Sequence, residues 1–173
     1  MKKEVLLIWF IIFFCLNLIF SCKSRNERFK EVNKKTIETK AEKLKYLKIT
    51  NTNYTVKKGH VNYILDATIQ VTNVSNKKIY WFKVLVNIFA NGRLTHSIIY
   101  TPNYYPGKDG KMYYRILEPK QTGIFRILLG EQYNIKEKPD NVVITLFEVG
   151  DNLDIFKKIR VNPKKYFIPY TPE

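Results

Sequence analysis

The run Asn62-Tyr63-Ile64-Leu65-Asp66-Ala67-Thr68-Ile69-Gln70-Val71-Thr72 places Tyr63, Leu65, Ala67, Ile69 and Val71 at odd positions and mostly polar residues at even ones. Successive side chains of a strand point to opposite faces, so a period of two makes one apolar face and one largely solvated face. Asn73-Val74-Ser75-Asn76-Lys77 then supplies turn-forming residues. Beyond it, Ile79–Ala90 carries Tyr80, Phe82, Val84, Val86 and Ile88 on one face and Trp81, Leu85 and Phe89 on the other, which predicts a central strand buried on both sides. Asn91-Gly92 tolerates positive φ at both residues and predicts a hairpin to Leu94–Tyr100.

Five further segments have strand character: Leu47–Val56, Lys111–Leu117, Ile124–Leu129, Val142–Val149 and Ile155–Val161. Gly, Pro, Asn and Asp separate most of them, and many short strands at such spacing predict an all-β antiparallel sandwich over residues 47–161. No segment here has a helical apolar stripe, which argues against alternating β and α elements. An immunoglobulin-like β-sandwich fits best, with a small barrel as the alternative. Residues 162–173 hold three prolines with Tyr166, Phe167 and Tyr170. Proline is excluded from central strands, so this is an extended tail that packs along the sandwich or waits for a partner.

At the other end, Lys2 and Lys3 precede the apolar run Val5–Phe20, which closes on Ile19-Phe20-Ser21-Cys22. The run has 16 residues with Asn17 inside, short of the roughly 20 that span hydrocarbon. Its form is that of a secretion signal with a processing site. The ending resembles the lipobox of bacterial lipoproteins; Cys15 is a poorer match, because bulky Phe14 precedes it. The composition, rich in Lys, Asn, Ile, Phe and Tyr, is similar to that of spirochaete lipoproteins. This resemblance implies removal of residues 1–21 as a signal peptide and acylation of Cys22, the palmitate-type chains anchoring the protein in a membrane. It places the protein in the cell envelope, at the outer membrane, facing either the surface or the periplasm. Three acyl chains exceed the two signals that hold a protein stably to a bilayer.

With residues 1–21 removed, Cys22 is the one cysteine left, so neither a disulfide nor a thiolate metal site can form. Trp81 would then pack against aliphatic residues in place of the inter-sheet disulfide. The chain has 30 basic and 15 acidic residues, net +15; taking away Lys2, Lys3 and Glu4 leaves 28 and 14. Such a balance favours polyanions, among them nucleic acid, anionic lipid or a host glycan. Export makes nucleic acid an unexpected partner, and an AT-rich codon bias would produce the same lysines without any ligand. Residues 22–46 are basic, with a thin stripe of Phe29, Val32, Ile37, Ala41 and Leu44. We read them as a polybasic spacer, a docked or membrane-lying helix being the alternative.

Asn73-Val74-Ser75-Asn76 leads into Val84-Leu85-Val86-Asn87-Ile88-Phe89-Ala90-Asn91-Gly92, and Leu117-Glu118-Pro119 follows with Phe125 behind it. Over roughly residues 60–149 this order resembles the FxLYD-type immunoglobulin-like domains of bacterial envelope proteins, with Val86-Asn87-Ile88-Phe89-Ala90 in place of the name-giving motif. The resemblance implies a non-catalytic envelope or interaction module and carries no site residues.

His60 and His96 stand in no metal-ligand or nucleophile–base spacing and read as turn or surface residues. Gly123 and Gly130 read as turn residues, and Asp151 with Asp154 as turn acids bonding backbone. These residues predict no enzyme, metal or cofactor. The stretch Tyr100-Thr-Pro-Asn-Tyr-Tyr-Pro-Gly-Lys-Asp-Gly-Lys-Met-Tyr-Tyr114 is different. On a long loop, Tyr104, Tyr105, Tyr113 and Tyr114 supply stacking faces and hydroxyls, and Lys108, Lys111 and Arg115 supply positive charge. The expected ligand is a polyanionic glycan or a protein; alternatively these tyrosines cap the core. Two other functions fit the same chain: a periplasmic assembly or chaperone-like accessory with a sheet edge that accepts a partner strand, and an exported enzyme with a site scattered through the sequence.

Overall fold

The computed structural model describes residues 27, 30–34, 36, 37, 39–107, 111–153 and 167–170. Cys22, Lys108, Asp154 and the expected strand Ile155–Val161 lie outside them. Residues 1–39 and 40–173 form two compact units. In the first, the described residues are helical and exposed, and the Thr36 hydroxyl donates to the Val32 carbonyl at 2.8 Å. A spacer was expected to be coil; its described residues up to Leu44 are helix. No helix among the described residues is long and apolar enough to cross a membrane.

The second unit opens with helical residues 40–44. Nine strands follow among the described residues: β1 Leu47–Lys58, β2 Tyr63–Asn73, β3 Trp81–Ala90, β4 Arg93–Tyr100, β5 Tyr104–Pro106, β6 Met112–Ile116, β7 Thr122–Leu129, β8 Asn141–Gly150 and β9 Phe167–Pro169. One sheet has the order β1-β2-β7, a second β4-β3-β8, and a small third β5-β6-β9. The first two are antiparallel throughout. They pack as an all-β sandwich. Their strand orders are those of strands A-B-E and C′-C-F in an immunoglobulin-like sandwich.

The alternation in β2 produces the packing anticipated for it. Leu65, Ala67, Ile69 and Val71 are fully buried, as are Phe82, Val84, Val86, Ile88 and Ala90 from the facing sheet. Phe82 meets Phe125 edge to face at 5.1 Å, joining β3 to β7 through the core. At the hairpin, Asn91 (φ 52°) and Gly92 (φ 69°) adopt the two positive φ values that match a two-residue connection to strand twist.

Three expectations change. The second face of β3 is only half-buried at Leu85 and Phe89. Trp81 stands outside the aliphatic core cluster; it lies on the bare Cα of Gly150, where a Cβ would fall 2.1 Å from its ring, with the Lys83 ammonium 5.3 Å from the ring centroid. Gly123 is no turn residue but an inward position of β7. There a Cβ would come within 2.8 Å of the Phe125 ring and 3.0 Å of Leu117 Cδ2.

Candidate functional site

The stretch singled out as a loop folds as a hairpin. Tyr104 pairs with Tyr114, Tyr105 with Tyr113 and Pro106 with Met112. Cross-strand partners share a face, so the rings stack in two couples: Tyr104 and Tyr114 with centroids 4.8 Å apart, Tyr105 and Tyr113 6.1 Å apart. Burial first, and the neighbouring Tyr104 second, hold the Tyr114 hydroxyl above its ordinary pKa.

The hairpin is held to the sandwich by Asn103, which is 1% exposed. Its carboxamide donates to the Tyr80 and Arg115 carbonyls, each at 3.0 Å. Its oxygen accepts from the Phe82 amide at 3.2 Å. The Arg115 amide donates in turn to the Asn103 carbonyl at 2.9 Å. The tail completes the arrangement. β9 pairs in parallel with β6, Tyr114 facing Phe167 and Ile116 facing Pro169. Pro169 is tolerated because β9 is an edge strand.

Tyr170 follows β9 and enters the core at 6% exposure. Its ring lies 5.2 Å from Phe125. Its hydroxyl accepts from the Ile124 amide at 2.9 Å and donates to the Ile124 carbonyl at 3.2 Å. Arg115 spans two rings, with its guanidinium carbon 4.7 Å from the Tyr105 centroid and 5.7 Å from that of Tyr170.

Between the hairpin and β7 lies a groove of about 700 Å³, lined by Tyr100, Pro102, Tyr104, Tyr105, Pro106, Arg115 and Tyr170 on one side and by Ile124, Phe125, Arg126, Leu128 and Thr68 on the other. Arg126 is oriented by Asp66, to which its Nε and Nη2 donate at 2.8 and 2.6 Å. That fork holds the Asp66 carboxyl below its ordinary range. Of the residues singled out in the sequence, Tyr104, Tyr105 and Arg115 line the groove. Tyr113 and Tyr114 support it as stacking partners, and Lys111 is exposed at the hairpin's mouth, its carbonyl accepting from the Gly107 amide at 2.6 Å. Tyr170, Arg126, Ile124 and Leu128 were not anticipated. For Arg126 the signal was present: it pairs across strands with Thr68 and stands beside Asp66 on one outward face.

Among the described residues no group of three or more His, Cys, Asp or Glu could hold a metal. The His60 amide donates to a Glu131 carboxylate oxygen at 2.5 Å, and His96 Nδ1 meets the Thr95 hydroxyl at 3.1 Å. Asp151, read as a turn acid bonding backbone, also centres two ion pairs, 2.5 Å from Lys43 and 3.3 Å from Lys77. Aromatic faces, directed guanidinium groups and an open trough equip the groove to hold a ligand. No family model, curated protein or solved structure matches this chain.

Proposed function

We propose that this chain is a lipid-anchored protein of the bacterial envelope acting as a non-catalytic binding module, its ligand seated between the tyrosine hairpin and β7. The observation that carries the reading is the lining of the groove, in which four tyrosines, Tyr100, Tyr104, Tyr105 and Tyr170, converge with Arg115 and Arg126. Aromatic rings with guanidinium groups favour anionic or extended amphipathic ligands, whether a polyanionic glycan or a protein segment. The net charge of +15 adds a long-range attraction for anions. The likeness to FxLYD-type envelope modules agrees with this reading. So does the lipobox-like Ser21-Cys22, through which acyl chains would hold the domain at the outer membrane.

The test uses a heparin-derived oligosaccharide as a polyanionic probe, measured at two salt concentrations. Screening acts over about 8 Å at physiological salt, so a purely electrostatic contact fades as salt rises while stacking persists in part. Wild-type binding should survive in part at the higher salt, and Tyr104→Ala with Tyr105→Ala should weaken it about tenfold, the equivalent of one lost aromatic contact. If the folded double variant binds as the wild type does at both salts, the groove is not the ligand site. The anchor is tested separately: a fatty-acid label should enter the wild type and be absent from Cys22→Ala.

A further inference from the structure

We propose that the groove receives an extended segment of another protein, which adds to the free edge of β7 as a further strand. This rests on the groove being the ligand site and names its occupant. Among the described strands, β7 pairs with β2 alone. In the immunoglobulin arrangement a strand D stands on its other side. Here the chain between β4 and β7 turns away into the hairpin β5-β6, which pairs with β9. Among the described residues, no strand takes the place beside β7.

The backbone marks the edge as ready for pairing. The Tyr170 hydroxyl meets both the amide and the carbonyl of Ile124, so those groups point away from β2. Along an antiparallel ladder the direction repeats every second residue, and the register with β2 runs unbroken from Ile124 through Arg126 to Leu128. The amides and carbonyls of Arg126 and Leu128 therefore open into the groove, and no hydrogen bond from the described residues reaches them. Exposed edge groups of this kind are a template for strand addition.

The walls select the occupant. Tyr104, Tyr105 and Pro106 stand across from β7, so an added strand would lie between β7 and the hairpin. An added strand sends its side chains alternately inward, as β7 sends Phe125 against Phe82, and outward beside Arg126. The fitting segment is apolar at every second residue with carboxylates between, free of proline, in keeping with opposite charges paired across strands.

The experiment uses the full-length protein and a capped hexapeptide alternating valine and glutamate. Two N-methylated versions each block alternate amides and so disable one edge of the peptide. Strand addition predicts that the unmodified peptide binds, that one methylated version binds comparably, and that the other binds about tenfold more weakly. It also predicts that the Arg126 and Leu128 amides exchange rapidly in the free protein and slow on peptide binding. Slow exchange of both amides without peptide would mean that the chain itself covers this edge, and would overturn the proposal. Equal binding of both methylated versions would overturn strand addition while leaving the groove as the ligand site, as would binding of the heparin-derived oligosaccharide alone. If neither peptide nor oligosaccharide binds, the groove reading falls with it.

Discussion

Asn103 ties the start of β3 to the end of β6 with three side-chain hydrogen bonds, of which the one from the Phe82 amide is fully buried. Removing the carboxamide takes its partner from the buried Phe82 amide, a desolvated group with a cost of its own, and one hydrogen bond each from the Tyr80 and Arg115 carbonyls. Asn103→Ala should lower unfolding free energy by roughly 2–3 kcal/mol, read from the urea midpoint. Nothing in the sequence separates this asparagine from a turn residue, because its role comes from what the fold brings to it. Asp151 makes a similar point with charge. Burial alone would raise its carboxyl pKa, but hydrogen bonds from Lys43 and Lys77, with the charge of Lys43, pull it lower. A carboxylate with a depressed folded pKa stabilises the fold above its unfolded pKa, and that contribution is lost as pH falls through the folded value. The gap in urea midpoint between wild type and Asp151→Asn should be open at pH 7 and close as pH is taken down toward 2.

At the scale of elements, legibility followed alternation. β2 could be read because Leu65, Ala67, Ile69 and Val71 repeat every second residue against mostly polar neighbours, and β7 as a short apolar run between Gly123 and Gly130, in which Ile124 and Leu128 blur the alternation. β6 could be read within Lys111–Leu117, but its hairpin with β5 could not, since Tyr104, Tyr105, Tyr113 and Tyr114 put rings on both faces and erase the period. β9 is three residues long and ends on a proline, so its parallel pairing comes wholly from contact with β6. Half the candidate site was visible as tyrosines and Arg115; the β7 half was hidden because Ile124, Arg126 and Leu128 look like the ordinary solvent face of a strand. Gly123 was misplaced for a related reason: a glycine punctuates turns more often than it makes room for a ring. Gly123→Ala should cost about 1–3 kcal/mol, as overpacked cores do, because Phe125 and Leu117 must move. A thermal melt of the variant against the wild type checks it.

For the whole molecule, the compact unit begins at Lys40, ahead of the boundary that strand character places at Leu47. Leu44 and Tyr46 pack against the core, Lys43 pairs with Asp151, and the Val74 amide donates to the Tyr46 carbonyl at 2.8 Å. A chain starting at Lys40 should therefore be more stable than one starting at Leu47 by roughly 2–4 kcal/mol, from the apolar area of two partly buried side chains, as measured by urea denaturation. The placement of Tyr170 against Phe125 bears on time as well as on space. Synthesis proceeds from the N-terminus at roughly 5–20 residues per second, so the side chain that closes this core is made after β1 to β8, whose faces it closes. A ribosome-bound chain halted with Tyr170 still inside the exit tunnel should be digested by a protease that spares the released protein. The keystone thus arrives after the strands of the two sheets it locks, and their compaction waits for it.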